Sequence, residues 1–60
     1  MINYDLIDKY CGGNMSIADF KGYTRKQIVR DAWEQTENIE EAEEFADSIL
    51  EALAESAMSR

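Results

Sequence analysis

The chain contains no histidine and no proline, and Cys11 is its one cysteine among 60 residues. Histidine and cysteine provide most of the protein ligands of zinc and haem, so their scarcity excludes the ordinary forms of those sites. A lone cysteine also cannot form an internal disulfide, whereas small secreted domains usually carry several. We therefore expect a chain that holds no metal or other cofactor.

The residue patterns of common catalytic sites are missing as well. Histidine is the side chain that most often acts as a general base near neutral pH. The pair Gly12–Gly13 is not followed by the glycine, lysine and hydroxyl residue of a phosphate-binding loop. The acids between Glu40 and Asp47 enclose no glycine, which a calcium loop requires at its centre. We therefore expect that the protein is not an enzyme.

No segment of the sequence is suited to export or to a membrane. The residues from Met1 to Asp5 form neither a basic leader nor an apolar run. No apolar stretch approaches the roughly 18 residues of a membrane span. We expect a cytoplasmic protein that has no membrane partner.

Helix-capping residues divide the chain into helical segments. Thr24 with Gln27 forms a capping-box pattern, and Asn38 with Glu41 forms a similar one before a long apolar periodicity. Gly12–Gly13 is a natural helix end, and no segment alternates between apolar and polar residues as a strand does. We predict one all-α domain over residues 1–60, a bundle of helices at about 3–11, 25–36 and 39–58 with a short helical turn near 16–21.

The last predicted helix carries a broad apolar face. Its apolar residues recur at steps of three and four and spread over about half of the helix circumference. A domain of this size buries only about 60% of its unfolded surface, so the face could be the core of a monomer or could be covered by a partner. We favour homodimerisation. We name these residues the packing face: Ile39, Ala42, Phe45, Ala46, Ile49 and Leu53.

The aromatic residues and the cysteine each allow two interpretations. We expect Tyr10, Tyr23, Trp33 and Phe45 to form the core, because a chain this short has few other large apolar side chains. An exposed Trp33 or Tyr23 beside basic residues would instead be a candidate interface anchor. We expect Cys11 to be a small buried hydrophobe, with a reactive thiol or an intermolecular disulfide as the alternative.

The net charge of −7, from 13 acidic and 6 basic residues, is unevenly distributed. Acids three or four residues apart line one side of the last predicted helix, opposite its apolar face. The row could imitate the phosphates of DNA and occupy a basic groove on a target protein, or it could be a solvated helix face. We name it the acidic face: Glu40, Glu44, Asp47, Glu51 and Glu55.

Most of the bases precede that helix in a group that we name the basic patch. Cations in the first turn of a helix oppose the helix dipole, so helix stability does not explain them. They could contact phosphate, or they could pair with the acidic helix of the same chain or of a second copy, which is the interpretation that we favour. The basic patch consists of Lys21, Arg25, Lys26 and Arg30.

The stretch from Asn14 to Trp33 also resembles a helix-turn-helix, with Gly22 in the turn and Thr24 opening the recognition helix. That resemblance implies DNA binding through the basic patch. The sequence departs from the motif where the motif has apolar packing residues, and a net charge of −7 repels DNA. Nucleic acid is therefore disfavoured as a partner. The two departures are Lys21 and Asp31.

These patterns together predict a small acidic helical protein that binds another protein, as a homodimer, and has a regulatory role. Small acidic regulators and inhibitors of this kind are typical accessory factors of phages and mobile elements. An acidic DNA mimic that inhibits a nucleic-acid-binding protein is the alternative, and a helix-turn-helix-like DNA binder is the third hypothesis.

Overall fold

The computed structural model describes residues 3–13 and 15–58. Over these residues the chain forms three α-helices and one 3-10 turn, and no strand is found among them. The all-α prediction and its helix boundaries are confirmed. The elements are α1 (Tyr4–Cys11), the 3-10 turn (Ile17–Phe20), α2 (Arg25–Thr36) and α3 (Ile39–Met58).

Local hydrogen bonds set the first two helix boundaries. The side chain of Asn3 accepts a hydrogen bond from the backbone N–H of Leu6 at 3.2 Å and begins α1. Gly12, with φ of 62°, ends α1 in the left-handed conformation. Thr24 and Gln27 form the predicted capping box, in which each side chain accepts a hydrogen bond from the backbone N–H of the other, at 3.3 Å and 3.0 Å.

A two-residue connection joins α2 to α3. Glu37 takes the left-handed conformation, with φ of 57°, and its N–H donates to the carbonyl of Trp33 at 2.7 Å. The Asn38 side chain then accepts hydrogen bonds from the backbone N–H groups of Glu40 and Glu41, at 3.0 Å and 3.3 Å. So short a link makes α2 and α3 antiparallel neighbours, and they form the largest contact between elements.

The core lies between this helix pair and a cover formed by α1 and the 3-10 turn. The Phe45 ring of α3 contacts the Tyr10 ring of α1 with centroids 4.6 Å apart, and the Phe20 ring of the 3-10 turn with centroids 5.8 Å apart. Ile28 and Ala32 of α2 close the core from the other helix. The pair α2–α3 is therefore covered on one side by the shorter elements.

The Glu41 carboxylate connects α1 to the junction of α2 and α3 through hydrogen bonds and an ion pair. One oxygen of Glu41 accepts hydrogen bonds from the Thr36 hydroxyl at 2.6 Å and from the Tyr10 hydroxyl at 3.3 Å. The Lys9 ammonium lies 3.5 Å from the same oxygen. The Thr36 hydrogen bond first, and then the Lys9 charge, lower the pKa of the Glu41 carboxyl from its usual value.

Two of the four aromatic residues expected in the core are not buried there. Tyr10 and Phe45 are buried, but Trp33 is 48% exposed and Tyr23 is 37% exposed. Trp33 lies about 140° round the helix from Ile28, and α1 lies on the other side of α2, so none of the described helices packs over the indole. The prediction that Trp33 and Tyr23 form the core was therefore wrong.

Candidate functional site

The packing face is occupied within the single chain along most of its length. Ala42, Phe45, Ala46 and Ile49 are buried, and Leu53 is half-buried against the core. Ile39 departs from the rest, since it is 51% exposed at the first turn of α3. These buried residues are not a surface on which a second chain could dock.

The packing face as predicted from the sequence omits one buried residue of α3. Ala52 is 1% exposed. Its position three residues after Ile49 was a signal that could have identified it, because residues three apart share a helix face. Its small side chain made that signal weak.

The opposite side of the α2–α3 pair has no described element over it. Asp31 and Gln35 line one side of α2 together with Cys11 of α1. Val29 and Trp33 lie about 40° and 80° round α2 from Arg25, on the other side. We name this second side the open face: Val29 and Trp33, bordered by Lys26 and Arg30 on α2 and by Glu40 and Glu44 on α3.

Arg25 bridges the two helices along the seam of the open face. Its Nε donates a hydrogen bond to the Asp47 carboxylate at 3.0 Å, and its Nη2 lies 3.6 Å from the Glu43 carboxylate. The Asp47 hydrogen bond is the largest cause of a raised Arg25 pKa, so the guanidinium stays charged. All three side chains are exposed, so this pairing orients the helices more than it stabilises them.

The rest of the basic patch differs from Arg25, although Lys26 lines the same surface cleft as Glu43. Lys21, Lys26 and Arg30 are exposed, and none of them forms an ion pair with a described residue. The expected pairing of the basic patch with α3 of the same chain is thus seen for Arg25 alone. Lys26 and Arg30 project from the α2 edge of the open face.

The acidic face is divided in the folded chain. Asp47 pairs with Arg25, so its charge is partly compensated. Glu40 and Glu44 are exposed, and no base of residues 3–13 and 15–58 forms an ion pair with either. Glu51 and Glu55 are exposed further along α3. The open face therefore has an apolar centre, a basic edge on α2 and an acidic edge on α3.

No family model matches the chain, and no curated protein or solved structure matches it either. Function must therefore be argued from the surfaces themselves. Within the described residues, no helix has the length and apolar content needed to cross a membrane. The same part of the chain holds no group of three or more acidic or cysteine side chains placed to bind a metal ion.

A cleft lies on the side of the α2–α3 pair that α1 and the 3-10 turn cover. A cleft of about 460 Å³ separates the end of α1 from α2, with Tyr10, Met15 and Phe20 among its lining residues. Cys11 lies half-buried at its edge. Burial, and then the nearby Asp31 carboxylate, raise the pKa of the Cys11 thiol, so the thiol stays protonated and is a weak nucleophile. This agrees better with a packing role than with a reactive one.

In the structure, the region that resembles a helix-turn-helix lacks the first helix of that motif. The motif needs a helix that packs across the recognition helix. Here residues 15–21 contain only the four-residue 3-10 turn, and α1 ends at Cys11, before the stretch that resembles the motif. Lys26 and Arg30 project from α2, but this turn is too short to hold α2 in a DNA groove.

Proposed function

We propose that this chain is a non-enzymatic, acidic protein-interaction module with a regulatory role, and that it acts as a homodimer through the open face. The proposal rests on Trp33, which is 48% exposed. Trp33 lies between the basic and acidic edges of the α2–α3 pair, on the side over which none of the described elements packs.

Tryptophan is a large amphipathic side chain that is enriched among the residues that dominate binding energy at protein interfaces. Trp33 is the one tryptophan of the chain. Its apolar neighbour on the open face is the half-buried Val29, one turn earlier on α2. A tryptophan beside an apolar residue and rimmed by charges has the arrangement of an interface core within a polar rim.

The open face is small, which sets the expected affinity. Its α2 part is about 18 Å long, and two helices side by side are about 20 Å wide. A typical stable interface buries roughly 800 Å² per partner, which would be about a fifth of the 4409 Å² surface of this chain. We therefore expect a dissociation constant in the micromolar range, and the free monomer remains folded around its own core.

Protein is a better partner for this surface than nucleic acid. A DNA-binding role is opposed by the net charge of −7 and by the missing first helix of the motif. A DNA mimic requires a continuous row of carboxylates, but Asp47 in the middle of the acidic face pairs with Arg25. The apolar centre of the open face favours a protein contact that excludes water.

Sedimentation equilibrium tests the proposal directly. At about 200 µM, well above a micromolar dissociation constant, the wild-type chain should sediment at about twice its 6.9 kDa mass, and dilution should dissociate it. Trp33→Gln should sediment as a monomer while its helical circular dichroism is unchanged. Tyr4→Gln is the matched control, because Tyr4 is 63% exposed but lies on α1, away from the open face.

Two results would overturn the proposal. One is a wild-type chain that stays at 6.9 kDa throughout this range. The other is a Trp33→Gln variant that dimerises as tightly as the Tyr4→Gln control, since the contact would then lie elsewhere.

A further inference from the structure

The charges on the open face select one arrangement of the dimer. We infer that a second copy docks with its α3 against α2 of the first, related by a two-fold axis that runs parallel to the helices. This inference rests on the proposed function and specifies how the open face is filled.

The two edges of the open face carry opposite charges. Arg25 faces Glu43 across the seam. From Arg25, Lys26 and Arg30 lie about 100° and 140° further round α2. From Glu43, the acids Glu44 and Glu51 lie about 100° and 80° further round α3, on the same edge as Glu40. Because α2 and α3 are antiparallel, these rotations lead to the same side of the pair, with the bases on one edge and the acids on the other.

Symmetry then leaves two ways to place one open face on another with the helices aligned. A closed dimer presents the same surface from both copies, with its axis in the plane of the interface. An axis parallel to the helices places α2 on the second copy's α3. An axis across the helices places α2 on the second copy's α2, and α3 on α3.

Only the first arrangement pairs opposite charges. It sets the basic edge on α2 against the acidic edge on the second copy's α3, and the same contacts form again on the other side of Trp33. The second arrangement sets bases against bases and acids against acids, around the same apolar centre. Like charges brought together across an interface disfavour association, whereas complementary edges fix orientation and register.

The heights along the bundle decide which charges meet. Contacts of α2 with α3 mark both ends of the shared length: Thr36 with Glu41 at one end and Arg25 with Asp47 at the other. A rotation about an axis parallel to the helices leaves these heights unchanged. Arg30 therefore meets the part of the second copy's α3 between Glu44 and Asp47, and Lys26, next to Arg25, meets the part between Asp47 and Glu51.

Neutralising the acidic edge distinguishes the two arrangements. Glu44→Gln with Glu51→Gln changes the net charge from −7 to −5, so it lowers the overall repulsion between two copies. In the arrangement that we infer, the variant nonetheless loses its attraction to Lys26 and Arg30, and we expect dimerisation at least about tenfold weaker at low salt. In the other arrangement the variant relieves acid-to-acid repulsion and dimerises more tightly.

The control is Asp8→Asn with Glu34→Gln. It makes the same change in net charge at two exposed residues outside the open face. Its dimer should be as tight as the wild type or slightly tighter. Circular dichroism of each variant confirms that the fold is kept.

A charge exchange completes the test. Lys26→Glu and Arg30→Glu combined with Glu44→Lys and Glu51→Lys reverses both edges, so opposite charges meet again, and we expect dimerisation within a few-fold of the wild type. If the wild type dimerises but the Glu44→Gln, Glu51→Gln variant does so equally well or better, the arrangement is wrong and the proposed function stands. If the wild type is monomeric, the proposed function itself fails.

Discussion

Replacing Phe45 by alanine removes the ring on which the aromatic cluster of the core is built. Phe45 is 1% exposed, and its ring contacts Tyr10 at 4.6 Å and Phe20 at 5.8 Å between centroids. These contacts join α3 to α1 and to the 3-10 turn. The substitution therefore weakens the attachment of both covering elements at once.

The expected loss is large relative to the stability of so short a chain. Truncation of a buried phenylalanine to alanine costs about 3–5 kcal/mol, which includes the cavity that is left. Native proteins are stable by roughly 0.05–0.15 kcal/mol per residue, or about 3–9 kcal/mol for a chain of this length. Phe45→Ala should thus remove between a third and all of the free energy of unfolding.

Urea denaturation followed by circular dichroism measures this loss at a chain concentration low enough to keep the protein monomeric. Phe45→Leu is the control, because it keeps most of the side-chain volume and should cost less than about 1.5 kcal/mol. If Phe45→Ala loses less than about 1 kcal/mol, or no more than Phe45→Leu, the aromatic cluster does not hold α1 and the 3-10 turn in place.

Two further predictions concern single hydrogen-bonded groups. The pKa of the Glu41 carboxyl is lowered from 4.5 by Thr36 and Lys9, so its stabilisation is complete above that value and is lost as the pH falls through the lowered pKa. Glu41→Gln should therefore reduce the melting temperature at about pH 7 but have little effect below the lowered pKa. A pH-independent deficit for Glu41→Gln would contradict the role of its charge. Thr24→Ala removes the N-cap of α2 and should lower the free energy of unfolding, measured by urea denaturation, by about 1 kcal/mol. Thr24→Ser should retain most of that stability. Equal stability of the two variants would show that the cap contributes nothing.

Much of the fold follows from local patterns in the sequence. The capping pairs Thr24 with Gln27 and Asn38 with Glu41 predicted where α2 and α3 begin, because each cap satisfies backbone N–H groups of the first turn. Gly12 predicted the end of α1 because glycine adopts a positive φ without strain. These interactions span a few residues and are visible without the tertiary structure.

The surfaces were harder to predict, because exposure depends on neighbours. Periodicity places Trp33 near Ala32 and Val29 on α2, but it does not show where a covering helix ends. Acid spacing likewise placed Asp47 in an uninterrupted row, and only the fold brings Arg25, 22 residues away in sequence, to within 3.0 Å of it. Charge pairing between elements is set by their packing and not by their spacing along the chain.

The sequence by itself determined the helices, their ends and the apolar residues that each helix shares on one side, because backbone hydrogen bonds and side-chain periodicity are local. The tertiary structure decided which of those sides is covered. The eight residues of α1 and the four of the 3-10 turn are too short to enclose the twelve of α2 and the twenty of α3, so they cover one side of the pair. Trp33 lies on the other side for that reason.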